Sequence, residues 1–433
     1  MNPLATSSKK IHPLRFVKRR SRQGLTLVEL LIAVSLTLII VAAMIRAFKS
    51  TGDSISLGRA KMDMHNKIRV VTETLRRDLQ NATHVPNPRA GNSAGYFEII
   101  EGLETDAVHA TSDISFLGDH DDILALTVKS KGEPFRGRFN GVWVESYLAE
   151  VIWWVVHDDT DGSDEAGYDE SLRLYRRVLL IRPDLETLAV DLDTFQRDND
   201  VSARYSDDGT GLVMNSLAEL ANRRNRFAHN PNQFPFEIDD VSAALLPLEN
   251  DFEGQDLMLD NCVAFDVKVF DPTAEVFTPT AVGNGLGQVV DWDDPGFADV
   301  VSAFPPTSNA NAYSQNGAYV NLGYDEAVAN DNRWFSDLPF FNNYPLGWNK
   351  KTYCTWWEGY ERDGFDQDQN GAIDQGIDGI DNNVDGIIDD NLEQETQPPY
   401  AYPVRSLEVR VRMIEKKSNQ ILQQTVRESF VPN

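Results

Sequence analysis

The sequence predicts an α+β protein: one long N-terminal helix, membrane-spanning in its first half, laid on an antiparallel β-sheet with loop-rich insertions. Three observations carry this. Residues 25–45 form an apolar run of membrane length, no proline falls between Leu25 and Val85, and later stretches alternate apolar and polar residues over strand lengths.

At about 1.5 Å per residue, residues 25–45 cover roughly 31 Å, the thickness of one hydrocarbon core. Ahead of the run stand Lys9, Lys10, Arg15, Lys18, Arg19, Arg20 and Arg22, with no acidic residue among residues 1–24. Such a basic segment stays cytoplasmic, so everything after Ile45 is exported. Pro86 and Pro88 end the helix near Thr83. Beyond the membrane, Ile68, Val71, Leu75 and Leu79 recur at three- and four-residue spacing, opposite Arg69, Glu73, Arg76 and Arg77; this stripe calls for a packing partner. Gly52 and Gly58 weaken the helix where it leaves the bilayer and leave a bend or a local melting open.

Strands follow. Residues 121–130 (DDILALTVKS), 142–156 (VWVESYLAEVIWWVV) and 171–181 (SLRLYRRVLLI) are rich in β-branched and aromatic residues. Val263, Phe265, Val267 and Val269 alternate with Ala264, Asp266, Lys268 and Phe270. Leu407, Val409, Val411 and Met413 alternate with Glu408, Arg410 and Arg412 before EKKSNQ turns the chain into ILQQTVRESFV. The pattern reads as a half-buried antiparallel sheet closing in a hairpin. Trp153 and Trp154, like Trp356 and Trp357, are neighbours that face opposite ways on a strand, so core and edge packing explains them better than a sugar-stacking surface.

The formal charge of −27 argues against a nucleic-acid surface, which needs clustered cations. The G-x-S-x-G of residues 91–95 lies between a helix end and a strand, the reverse of a nucleophile elbow, and reads as a loop. Residues 157–170 (HDDTDGSDEAGYDE) have alternate Asp159, Asp161 and Ser163 but a misplaced glycine, and read as a polar hairpin loop. The seven histidines show no ligand spacing, and no phosphate loop or Cys-x-x-Cys occurs.

The segment RQGLTLVELLIAVSLTLIIVAAMI, residues 22–45, resembles the class III leader of type IV prepilins and type II secretion pseudopilins. In that family a membrane peptidase cuts after the glycine and methylates the new amino terminus. The resemblance implies Gly24 as the cleavage-site glycine, Leu25 as the methylated first residue, in place of the more usual phenylalanine, and Glu29 as the acidic assembly residue. An acid at membrane depth is costly and is paired where it persists. Cleavage supplies a partner, the α-ammonium of Leu25 in the same chain or in a neighbouring subunit; snorkelling of Glu29 to the headgroups is the simpler alternative.

ETLRRDLQNA (73–82), RLYRR (173–177), MLDNCVAFDVKVFD (258–271) and PVRSLEVRVRM (403–413) are similar in order to the J-type minor pseudopilins of type II secretion systems. The resemblance covers about half the chain and implies a leader (1–24), a transmembrane assembly helix (25–85) and a pilin-like periplasmic β-domain (86–433). The surplus falls in insertions at about 183–255 and 273–399. It further implies a non-enzymatic, single-pass inner-membrane subunit near the filament tip, with a cytoplasmic N-terminus. Its partners would be other minor and major pseudopilins, the prepilin peptidase, the assembly platform and, as a further contact, secreted cargo. A pilus-associated, calcium-dependent adhesin is the rival; a filament-anchored enzyme finds no catalytic constellation.

Residues 363–390 hold nine aspartates and no lysine or arginine. Asp366, Asp368, Asn370, Gly371 and Asp374 fit D-x-D-x-N-G-x-x-D, and Asp381, Asn383, Asp385, Gly386 and Asp389 repeat it fifteen residues later. Alternate oxygen ligands with a turn glycine suit one or two calcium ions, magnesium preferring fewer protein ligands. The twelfth position, where a bidentate glutamate closes an EF-hand, is Ile377 or Leu392, with Asp378 and Glu393 one residue beyond. Ile373 and Ile388 are expected to anchor each loop in a small core; a solvated acidic loop is the alternative. Cys262 and Cys354 lie on the exported side, where a disulfide would persist and tie the second insertion to the sheet; a buried thiol at Cys262 and an unrelated Cys354 is the other reading.

Overall fold

The computed structural model describes residues 26–84, 86–87, 94–102, 117–158, 171–206, 208–229, 245, 247–248, 252, 254–277, 313–323, 351–364, 366, 371–390, 393–394, 398, 400, 403–416 and 418–430. The chain divides into two compact units, Met1–Ala60 and Lys61–Asn433. Helix α1, Leu27–Gln80, begins in the first. There its apolar side chains are exposed, among them Leu31, Leu38 and Ile39, and it is the one described helix long and apolar enough to cross a membrane. The helix is continuous through Gly52 and Gly58.

In the second unit the α1 residues Met64, Ile68, Val71, Leu75 and Leu79 are buried in the main core, as their spacing requires. The strands are β1 Phe97–Ile100, β2 Ile123–Lys129, β3 Phe135–Phe139, β4 Val142–Ser146, β5 Leu148–Asp158, β6 Ser171–Leu180, β7 Ala203–Tyr205 and β8 Leu212–Met214. After them come β9 Leu257–Asp260, β10 Cys262–Phe277, β11 Tyr313–Val320, β12 Thr352–Cys354, β13 Ser406–Glu415 and β14 Gln420–Ser429. A six-stranded sheet has the order β12-β1-β2-β5-β6-β9 and a four-stranded sheet the order β11-β10-β13-β14; their described pairings are antiparallel. β3–β4 and β7–β8 are separate two-stranded ribbons, and a short helix α2, Leu192–Asp198, precedes the second. The layout is α+β and consistent with a pilin-like fold.

The main core takes Leu124, Leu126 and Trp153 from the large sheet, Phe265, Val267 and Val409 from the small one, and the α1 stripe, which precedes both in sequence. Polar contacts fix the helix to both sheets. Asp78, buried, accepts from Trp153 Nε1 at 3.0 Å and from Arg176 Nε and Nη2 at 2.7 and 2.8 Å, while Thr72 Oγ1 donates to Gln424 Oε1 at 2.9 Å. Two of the sequence segments noted above, LRRD and RLYRR, therefore meet through Asp78 and Arg176.

Three expectations change. Residues 142–156 are not one strand: Ser146 Oγ accepts from Leu148 N at 3.0 Å and donates to Ile181 O at 2.9 Å, and the chain switches sheets at Tyr147. From Cys262 to Lys268, β10 is buried on both faces, since Asp266 and Lys268 are as inaccessible as Phe265 and Val267. The reason is a charged layer on its second face, where Asp266 lies 3.6 Å from Lys268 Nζ and 3.7 Å from Arg410 Nη1. Finally, Cys262 and Cys354 are free buried thiols, not a disulfide. They sit on different sheets and in different clusters, and burial pushes their thiols up to about 12 and about 11. Trp153 and Trp154 do face opposite ways, the first stacked near Phe265 and the second near Tyr175.

Candidate functional site

The first site is the start of α1. Glu29 N donates to Thr26 Oγ1 at 3.3 Å, while Glu29 Oε2 accepts from Thr26 N at 2.9 Å and from Thr26 Oγ1 at 3.0 Å. This reciprocal pair is a capping box, T-x-x-E, which satisfies two orphan donors at the helix start. The T-x-x-E spacing ahead of an apolar run is the signal in the sequence that marks Thr26 as the cap. Gly24 and Leu25 lie outside the described residues.

The second is the acidic repeat. Asp368 and Asn370 lie outside the described residues, but Asp366, Asp374, Asp381, Asn383, Asp385 and Asp389 are placed. The described parts of the two copies match: Gly371 and Gly386 both have φ of 94°, and Asp374 and Asp389 have φ of 53° and 54°. Gly371 N donates to Asp366 Oδ2 and Gly386 N to Asp381 Oδ2, both at 2.8 Å. Gly364 N and Gly379 N donate to Asp374 Oδ1 and Asp389 Oδ1 at 3.3 and 2.9 Å, which extends each unit two residues before its first aspartate. In the second copy Asp385 N donates to Asp381 Oδ1 at 3.1 Å and to Asn383 Oδ1 at 2.9 Å, drawing these two side-chain oxygens around one turn.

Glu393, buried, accepts from Asn383 N at 3.0 Å and from Asp390 N at 3.2 Å, so both its oxygens are bonded to backbone N–H groups of the second loop and its end. Asp378 instead accepts from Ile380 N and Asn382 Nδ2 at 2.7 and 3.0 Å and heads the second loop. Ile373 and Ile388 are 53 % and 58 % exposed and join no buried cluster among the described residues, where residues 371–390 form turns and one short 3-10 turn without strands. The donor set is all oxygen and fits a hard cation.

A third group joins residues far apart in sequence. Glu101, Asp119 and Asp122 are buried, with one ligand oxygen from each within 4.8 Å of the others. Burial, then repulsion among neighbouring carboxylates including Asp266 and Asp121, pushes all three well above the usual carboxylate range. The sequence signal is slight, the acid-rich GDHDD before β2.

A fourth is a buried ion network around Glu98 on β1. Arg223 Nε donates to its Oε1 at 2.8 Å and Arg226 Nη1 to its Oε2 at 2.7 Å, with His229 Nε2 3.2 Å from Oε1. Arg226 also donates to the carbonyls of Leu220, Ala221 and Thr355. The network therefore binds residues 219–229 and residues 352–360, both within the expected insertions, to the sheet.

Comparison with known proteins bears on the first site. Residues 19–45 match the prokaryotic N-terminal methylation motif. The motif supports a protein of the type IV pilin and pseudopilin kind, a membrane-anchored, single-pass, structural chain processed by prepilin peptidase and assembled with other pilin-type subunits. No curated protein and no solved structure matches the chain.

Proposed function

We propose that the chain is a minor pseudopilin of the J type, at or near the tip of a type II secretion pseudopilus, where it primes filament assembly for protein export. In this reading it sits in the inner membrane with its C-terminal domain periplasmic and is cut between Gly24 and Leu25. The observation that carries it is the N-terminal methylation motif opening a helix whose apolar side chains stay exposed through Ile45. Bare apolar surface of that extent suits lipid before assembly and other subunits' helices after it. In-cell photocrosslinking from Ile39 is expected to capture other minor pseudopilins; capture of pilus subunits alone would overturn the secretion assignment.

The exposed acidic repeat favours a second reading, a minor pilin or calcium-dependent adhesin. Deleting the gene separates the two: loss of export with surface attachment intact supports secretion, and the reverse outcome supports adhesion. In either case residues 363–390 are read as calcium loops with Asp366, Asp368, Asn370 and Asp374 in one copy and Asp381, Asn383, Asp385 and Asp389 in the other. Substituting Asp366 and Asp381 together by Asn is expected to reduce the calcium ions bound per chain, counted by equilibrium dialysis. An unchanged count would leave the segment a solvated loop.

A further inference from the structure

We propose that Glu101, Asp119 and Asp122, completed by Asn321, form a calcium site distinct from the acidic repeat, and that its ion ties the two sheets together. Glu101 follows β1, Asp119 and Asp122 precede β2, and Asn321 follows β11 of the small sheet. Backbone bonds bring these segments side by side: Gly118 N donates to Val263 O at 2.8 Å and Phe265 N to Asp119 O at 2.9 Å.

Each carboxylate is held from one side by donors. Val267 N and Gly102 N donate to Asp122 at 2.6 and 3.1 Å, Leu322 N to Glu101 Oε2 at 3.2 Å, and Asn321 Nδ2 to Asp119 Oδ2 at 2.9 Å. Such donors favour the ionised form, yet three ionised carboxylates this close and this buried repel strongly. A dication at their centre removes the conflict. Two oxygens bound to one calcium at roughly 2.3–2.6 Å stand no more than about 5 Å apart, and the three ligand oxygens all lie within 4.8 Å of one another.

Asn321 is the independent indication. It is 1 % exposed, its amide points at the cluster through the Nδ2 bond to Asp119, and its Oδ1 has no hydrogen-bond partner among the described residues. A buried amide oxygen without a donor is costly. A calcium ion accepts that oxygen type beside carboxylates, and the set contains no sulfur or imidazole to suit a softer metal.

The test uses the full chain in detergent, carrying Asp366→Asn and Asp381→Asn so that the repeat is silenced, and stripped with a calcium chelator. Added calcium is expected to raise its melting temperature with one ion bound per chain, and Asp119→Asn on that background to abolish both. Terbium in place of calcium reads binding directly through its luminescence, sensitised by the chain's aromatic side chains. Asn321→Ala removes an oxygen without changing charge, so it keeps the test sound if Asp119→Asn fails to fold; it is expected to weaken terbium about tenfold or more. The proposal is overturned if calcium has no effect on the repeat-silenced chain, if binding survives both substitutions, or if magnesium acts equally well.

Discussion

Glu98→Gln is expected to lower the folding stability of the second unit by about 3–5 kcal/mol at neutral pH, the usual consequence of removing one member of a buried ion network. The substitution preserves shape, so the loss measures charge rather than packing. Two guanidinium groups, Arg223 and Arg226, 5 % and 3 % exposed, would be left in the interior without their counter-ion. Burial alone pushes the Glu98 carboxyl up, but Arg223, His229 and Arg226 outweigh it and hold the group well below the usual carboxylate range. Its folded value is depressed, so its stabilisation is present above the unfolded value of about 4.3 and is lost as pH falls through the folded one. Wild type and variant should therefore differ most near neutrality and converge in strong acid, followed by urea unfolding across pH. Limited proteolysis should also open residues 219–229 in the variant, because Arg226 joins that segment to Thr355 and to β1. Equal stability at neutral pH would show that the network is not what holds these segments to the sheet.

Glu98 also shows where sequence reading stops. Between Phe97 and Ile99, an alternating pattern assigns it to a solvent-facing side, as it does Asp266 and Lys268 on β10. Those faces are covered by segments contributed from more than a hundred residues away, and nothing local marks the cover. The α1 stripe and the β13–β14 hairpin were legible because a single local period decides each of them. The β3–β4 ribbon has a local signal too: Asn140-Gly141, with φ of 49° and 77°, is the N-G turn of a tight hairpin. The repeat disclosed its fifteen-residue period but not its environment, since ligand spacing says nothing of whether Ile373 and Ile388 find a core. Glu101, Asp119, Asp122 and Asn321 are brought together by sheet topology alone.

Glu29→Ala is expected to leave membrane insertion intact and to reduce incorporation into filaments about tenfold or more, the scale of removing one partner from a buried charge pair. Insertion is unaffected because the apolar run is long enough without the acid and gains from losing it. The capping box makes alanine ambiguous, however, since it removes both a charge and the acceptor for Thr26 N and Oγ1. Glu29→Gln separates them: a glutamine still serves a capping box but cannot pair with an ammonium. If Glu29 acts through the amino terminus that cleavage creates at Leu25, glutamine should fail as badly as alanine. Thr26→Val, which removes only the hydroxyl's share of the cap, should then assemble nearly normally. The opposite ranking, glutamine assembling and valine failing, would assign the pair to helix initiation and take the charge out of assembly. Quantifying each variant in sheared filaments against its membrane-inserted pool distinguishes the two, and only the first outcome makes subunit docking depend on prior cleavage after Gly24.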